Sequence, residues 1–294
     1  MKKVLFATTA LVATAGVAAA DVSFGGYGRF GAYYQENAAD EITLDSRFRL
    51  IVTATAESDN GLKFGAQTRV QFDEMEDSYQ GNGGFNPVRF WVSTGGLEVS
   101  VNHVQGAIEF MPGMYDGSVG LTGLGYANVV YNFGADAYTS GSTGRQGVDV
   151  KYSSGAFGAH LSHSFDNAFN GNVSKTALYV SYSMNSYEIA AGFQDSDVAG
   201  DTEWALTASG SFGPAKVTLQ VADNDGDMKY GLAASGKIGA ATEILGYVNH
   251  DEAIDDENYG LGVSHSLGGG TSIVGGVASL AGTTRADLGL KFNF

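Results

Sequence analysis

The side chains best suited to catalysis are few in this chain and poorly placed for it. Of the five histidines, His103, His160, His163, His250 and His265, only His160 and His163 are close in sequence. Three residues apart on an extended chain they point to opposite faces and cannot share a metal, so they read as ordinary polar residues. No G-x-S-x-G, H-E-x-x-H or P-loop pattern occurs. Asp223-Asn224-Asp225-Gly226-Asp227 has the acidity of a calcium loop. Its spacing lacks the alternating ligands, however, and position twelve is Ala234 where a bidentate Glu belongs. A solvated loop is the better reading. The expectation is a protein that is not an enzyme and carries no organic cofactor.

The chemistry that remains is electrostatic. Arg29, Arg47, Arg49, Lys63, Arg69 and Arg89 crowd into the first third of the sequence. Each stands in a segment of alternating apolar and polar residues. In Leu62 to Asp73 the odd positions are Lys63, Gly65, Gln67, Arg69, Gln71 and Asp73, and the even ones Leu62, Phe64, Ala66, Thr68, Val70 and Phe72. A period of two is that of a β-strand with two unlike faces. Leu44 to Glu57 behaves likewise, with Arg47, Arg49, Thr53 and Thr55 opposite Phe48, Leu50, Val52 and Ala54. The chain ends the same way, with Ala286, Leu288, Leu290, Phe292 and Phe294 on one face and Asp287, Gly289, Lys291 and Asn293 on the other.

Such units repeat along the chain. The pattern predicts sixteen strands, at 22–34, 43–57, 61–73, 87–94, 97–104, 145–154, 156–166, 174–184, 186–195, 202–212, 214–223, 227–238, 240–250, 257–267, 270–280 and 283–294. Short turns such as Gly95-Gly96 and Phe212-Gly213-Pro214 alternate with longer acidic connections, among them Asp195 to Glu203 and Asp251 to Glu257. If the outward face is fixed from the large apolar residues alone, the Lys and Arg beyond residue 20 fall on the inward face. A cation facing lipid at mid-membrane costs about 2–4 kcal/mol, whereas one facing a wet lumen costs little. A soluble sandwich with this inner face would bury unpaired charge. The fold class expected is therefore all-β, a sixteen-stranded antiparallel transmembrane β-barrel with Phe294 on its closing strand.

Export fits this reading. Met1-Lys2-Lys3, the apolar run Val4 to Gly16 and Ala18-Ala19-Ala20 resemble a cleaved signal peptide over residues 1–20. Residues 21–294 would then form the barrel. Without Lys2 and Lys3, 14 basic residues face 32 acidic ones, a net charge of −18. That argues against nucleic acid as a partner. No Cys is present, so disulfides are not used.

Residues 105–144 break the repeat. A strand at 126–135 would make seventeen and leave the chain ends on opposite sides of the membrane, so the whole segment is taken as one connection. Its apolar residues, including Ile108, Phe110, Met111, Met114, Leu121 and Leu124, would be unfavourable in open solvent. They predict a loop folded inward onto the barrel wall. An external flap is the alternative.

Three segments now carry a resemblance: Gly26-Tyr27-Gly28-Arg29-Phe30-Gly31, Asp45-Ser46-Arg47-Phe48-Arg49-Leu50 and Phe64-Gly65-Ala66-Gln67-Thr68-Arg69, with the terminal Phe. In these the chain resembles the general-diffusion outer-membrane porins of photosynthetic alphaproteobacteria, of the Rhodobacter and Rhodopseudomonas type. The resemblance implies a homotrimer whose third external loop narrows each pore. It implies that acidic loop residues, here Glu109 and Asp116, oppose a basic wall of Arg29, Arg47, Arg49, Arg69, Lys63 and Arg89. The function expected is passive diffusion of small hydrophilic solutes and ions with weak cation preference; the alternative is a channel specific for a sugar or an anion. Outer-membrane lipid and lipopolysaccharide would surround the barrel. The one metal left in view is a structural calcium, in the constriction or bridging acidic loops to lipopolysaccharide phosphates.

Overall fold

The computed structural model describes residues 20–75, 78–80, 85–124, 134–138, 144–200 and 202–294. The leader expected at 1–20, save its last residue, and most of the strand weighed at 126–135 lie outside these residues. The described strands are β1 Asp21–Gln35, β2 Ile42–Glu57, β3 Lys63–Met75, β4 Ser78–Gln80, β5 Arg89–Thr94, β6 Leu97–His103, β7 Gln146–Ser154, β8 Phe157–Ser164 and β9 Lys175–Met184. They continue as β10 Tyr187–Ser196, β11 Glu203–Phe212, β12 Ala215–Asn224, β13 Asp227–Ile238, β14 Thr242–Asp251, β15 Asp256–Gly268, β16 Thr271–Leu280 and β17 Thr283–Asn293. Every pairing is antiparallel between neighbours, and β17 returns to pair with β1. The sheet is closed and has no edge. Because β4 and β5 pair with β3 at different heights, they share one stave and the barrel has sixteen.

The alternation seen in the sequence becomes the two surfaces. Along β13, Lys229 and Ala233 are buried while Tyr230, Leu232 and Ala234 are exposed. Outward apolar residues are left bare around the cylinder, Leu44 to 80 % of its full area. Arg29, on the other face of β1, keeps 6 %. In water this arrangement would be unfavourable on both counts; a hydrocarbon surround resolves it. Each stave from β9 onward has ten to thirteen residues, matching the roughly 9–11 that a tilted strand needs to cross a bilayer. Among the described residues no helix is long and apolar enough to cross a membrane.

Closure runs through the last residue. Gly26 N donates to Phe294 O at 3.0 Å, and Phe294 N donates to Gly26 O at 3.2 Å. The Phe294 ring stacks on Phe48 with centroids 5.6 Å apart. The loop-side connections are shorter than the acid-rich sequence suggests. Asp225-Gly226 is a two-residue hairpin turn with φ of 58° and 95°, the Asp-Gly pairing that suits a type I′ turn. Asp223 Oδ1 there accepts from Gly226 N at 2.7 Å, so this acidic run serves a turn.

Candidate functional site

The connection from β6 to β7 turns into the barrel. Ala107 N donates to Ser162 Oγ on β8 at 2.8 Å. Ile108, Met111 and Met114 are then buried against Ala177, Ala190, Ala205 and Ala222, one inward residue from each of β9 to β12. Alanine at four neighbouring positions leaves a shallow trough in a wall that elsewhere carries polar side chains. The large loop residues fill it, each burying an amount worth about 1.5–3 kcal/mol. Thr207 Oγ1 donates to Pro112 O at 2.7 Å and Gln220 Nε2 to Met114 O at 3.1 Å, which satisfies loop carbonyls away from water.

Further on, Asp116 Oδ2 takes both Lys216 Nζ and Thr218 Oγ1 at 2.6 Å. Val119 and Leu124 pack with Tyr33, Ala233, Tyr247 and Ala278. The loop is latched to β17 by Asp287, whose carboxylate accepts from Leu121 N at 2.8 Å and from Thr122 N and Oγ1 at 2.7 Å. Gly120, at φ 79°, lies so close that a Cβ there would stand 2.5 Å from Asp287 Oδ1. Arg29 adds a second latch: it donates to Leu121 O at 3.1 Å and pairs with buried Asp45 at 2.9 Å. On the return, Asp136 O accepts from Gly106 N at 2.7 Å, and its carboxylate pairs with Arg145 at 3.1 Å and Lys175 at 3.9 Å.

Among the described residues the loop thus lines the wall from β8 round to β1, and its return meets β3 at Tyr138, whose Oη donates to Gln67 O at 3.2 Å. On β2 and β3, Arg47, Arg49 and Arg69 stand on adjacent inward positions beside Tyr27. Arg47 pairs with Asp73 and reaches Tyr27 Oη at 3.4 Å. Arg49 donates to Gln71 Oε1 at 2.5 Å and lies 5.2 Å from the Tyr27 ring centroid, on which Lys291 also sits at 4.9 Å. Arg69 stacks on Tyr138 at 4.7 Å and donates to its carbonyl. Among the described residues, neither Arg49 nor Arg69 has a carboxylate within ion-pair distance. Cations this close repel one another, so this sector holds uncompensated positive charge.

The six cations singled out in the sequence therefore divide. Arg47, Arg49 and Arg69 form one wall. Arg29 is taken up in latching the loop. Arg89 lies in a buried cluster with Glu98 at 2.6 Å, Asp149 at 3.4 Å and Ser100, its guanidinium 5.3 Å from the Trp91 ring. Lys63 sits exposed at the end of β3, 4.0 Å from Glu57. Asp116 is brought to Lys216 on β12 and away from the arginines. Glu109 is half-buried in the loop, and burial raises its carboxyl above the ordinary glutamate value, against a lowering hydrogen bond from Tyr115.

Asp287, Asp45 and Asp149 hold the loop and its anchors, roles that the sequence reading does not assign. Asp149 holds the loop's root: it accepts from Ser100 Oγ at 3.0 Å and Gln105 N at 3.3 Å, with His160 Nε2 at 3.4 Å. Their one sequence signal is an acidic residue on the inward face of a strand that also carries inward cations. Among the described residues no group of three or more His, Cys, Asp or Glu is placed to hold a metal.

Comparison with known proteins agrees with this geometry. A family model described as Gram-negative porin matches residues 7–285. A curated protein named porin, from Fuscovulum blasticum, is 33 % identical over 152 residues, 49 % of this chain; the match spans about half, 51 %, of that relative's length. Among solved structures, a mutant of the Rh. blastica porin superposes with a TM-score of 0.82 at 27 % identity, covering 93 % of this chain and 100 % of that one. A triple mutant of the Rhodopseudomonas blastica porin gives 0.82 at 25 % identity with the same coverage. The chain belongs to the Gram-negative porin family, β-barrel channels of the outer membrane.

Proposed function

We propose that this chain, exported by residues 1–20 and cleaved before Asp21, forms a water-filled pore for passive diffusion of small hydrophilic solutes and ions. The observation that carries the reading is the loop packed inside the lumen opposite Arg47, Arg49 and Arg69. An eyelet bounded by a loop on one side and fixed cations on the other orders its water across the pore. Polar solutes align in that field; apolar ones must displace oriented water. The loop sets the size limit. Glu109 is the acidic group on the loop side, and Asp116, already paired with Lys216, contributes less.

Net charge along the path favours cations weakly, since 32 acidic residues outnumber the basic ones. Of the small outward residues on the first strands, Gly26 and Gly28 lie under the Phe294 and Phe292 rings, while Ala32, Ala54, Ala56 and Ala66 permit close approach of a second wall in lipid, consistent with a homotrimer embedded in lipid and lipopolysaccharide. The test is planar-bilayer conductance with a graded series of neutral sugars. Steps in threes, solute rates falling smoothly with size and a reversal potential on the cation side are expected. A current that saturates and is inhibited by one solute would replace this reading with that of a specific sugar or anion channel.

A further inference from the structure

Where the loop runs along the wall, a cavity of about 280 Å³ opens beside Tyr115 to Gly120. It lies on the short-turn side of the loop, backed by β12 to β16. Its lining is chemically mixed in an ordered way. Asp116 and Lys216 are fixed against each other at 2.6 Å, yet their side chains keep 29 % and 43 % exposure and so retain free lone pairs and N–H groups. Glu243 adds a second, exposed carboxylate. Ser118, Ser235 and Ser264 supply hydroxyls. Leu245 and Val274 of the wall and Val119 of the loop add aliphatic surface, and the half-exposed Tyr115 ring stands beside them.

We propose that this alcove is a resting site for a neutral sugar of one ring. The inference rests on the pore reading above and names a solute class within it. A pyranose has what the lining answers: hydroxyls that both donate and accept around its rim, and C–H faces that pack on aliphatic and aromatic surface. Two carboxylates accept from vicinal hydroxyls, while the Lys216 ammonium and the serines donate or accept in return. The volume lies just below the roughly 300–1,000 Å³ of ordinary small-molecule pockets, which limits the occupant to about one ring. A free anion would meet Glu243 and an already neutralised Lys216. A free cation would lose more water than one exposed carboxylate returns. The neutral polyhydroxylated ring is the class that leaves no charge unanswered.

Saturation-transfer NMR on the detergent-solubilised full chain tests this, with glucose as probe and glycine, inorganic phosphate and the open-chain polyol mannitol as comparisons. Glucose should give a saturable signal in the millimolar range, and mannitol, lacking a ring face, a signal at least tenfold weaker. Ser235→Phe fills the cavity and should abolish the glucose signal. Glu243→Gln, a near-isosteric change at an exposed position, should weaken it at least threefold and keeps the test alive if the filled variant fails to fold. Glycine or phosphate binding in preference to glucose, or a glucose signal that neither variant alters, would overturn the proposal. Bilayer conductance of the unmodified protein separates the two readings. Ohmic channels without saturable glucose binding would sink the alcove alone, and absence of channels would sink the pore with it.

Discussion

Two sectors of the lumen wall use their ionic groups in opposite ways. Over most of the wall, from β5 round to β1, five cations meet carboxylates: Arg29 with Asp45 of β2, Arg89 with Asp149, Lys175 with Asp136 of the loop, Lys216 with Asp116 of the loop and Lys229 with Asp251. On β2 and β3 Arg47 pairs with Asp73, while among the described residues Arg49 and Arg69 have no carboxylate within ion-pair distance and lean on Gln71, Tyr27 and Tyr138. Paired charge fixes a segment that would otherwise drift in water; unpaired charge creates a field that passing solutes experience. One face is scaffold and the other is instrument, although both are made of arginine and carboxylate.

Cutting the scaffold should have the largest effect. Asp287 accepts three hydrogen bonds from the loop on a buried carboxylate, each worth about 1.5–3 kcal/mol when the acceptor is charged. Asp287→Ala removes all three and leaves Leu121 N and Thr122 N unsatisfied. The barrel should persist, because its ladder is independent of the loop, while the loop leaves the wall near β17. Single-channel conductance should rise and the sugar size limit should increase. An unaltered size series would mean that the hydrophobic trough of Ala177, Ala190, Ala205 and Ala222 holds the loop unaided.

Next in size is the contrast between two arginine substitutions. Arg49→Gln removes an unpaired cation facing the open lumen. The reversal potential should move clearly toward cations, with little change in thermal stability. Arg89→Gln removes a paired one and strands the Asp149 carboxylate in a buried site, a loss of about 3–5 kcal/mol for a buried pair broken on one side. Stability should fall while ion selectivity barely moves. If both variants shift selectivity equally, the division of the wall into two sectors is wrong.

The division also marks what the sequence could reveal. Strand positions and faces were readable because a period of two is a local signal that lipid and water enforce at every residue. The strands expected at 174–184 and 202–212 appear as Lys175–Met184 and Glu203–Phe212. The inward loop was readable from Ile108, Met111 and Met114, too apolar to leave in solvent. Partners were not. Leu121 and Asp287 are 166 residues apart, and Arg89 and Asp149 are 60. Nothing local distinguishes Arg89, buried, from Arg49, half-open. Only barrel register and the loop's path decide that, so the six cations expected to form one wall resolve into four groups: the Arg47, Arg49 and Arg69 wall, the Arg29 latch, the buried Arg89 and the exposed Lys63.

A smaller effect should come from pH. Burial raises the Glu109 carboxyl above its ordinary value of 4.5. A raised acid is protonated earlier as pH falls, so the negative charge on the loop side is lost at a pH where a solvated glutamate would keep it. By linkage the stabilising form is the neutral one: its contribution is complete below the unfolded value and is lost as pH rises through the folded one. Cation preference should therefore weaken on acidification before the exposed loop acids titrate. Glu109→Gln should lack that early component and hold the loop slightly more firmly at neutral pH. Reversal potentials over a pH series measure both.

The smallest effect tests how closely the loop and wall are fitted. Gly262 on β15 faces the loop, and a Cβ there would stand 3.0 Å from both Gly120 N and the Val119 Cβ. Gly262→Ala therefore needs the loop to give by a few tenths of an ångström, at the low end of the roughly 1–3 kcal/mol typical of overpacking. The displacement is into the lumen, so conductance should fall slightly, in the opposite direction to Asp287→Ala. Gly246 on β14 is the matched control. Its added Cβ would meet only Gly260 O and Leu261 Cδ1, at 3.5 Å, so alanine there should leave conductance unchanged. Equal behaviour of the two alanine variants would show that the loop rides above the wall with slack. A fall confined to Gly262→Ala would locate one side of the eyelet at the Val119-Gly120 contact, where glycine meets glycine because nothing larger fits.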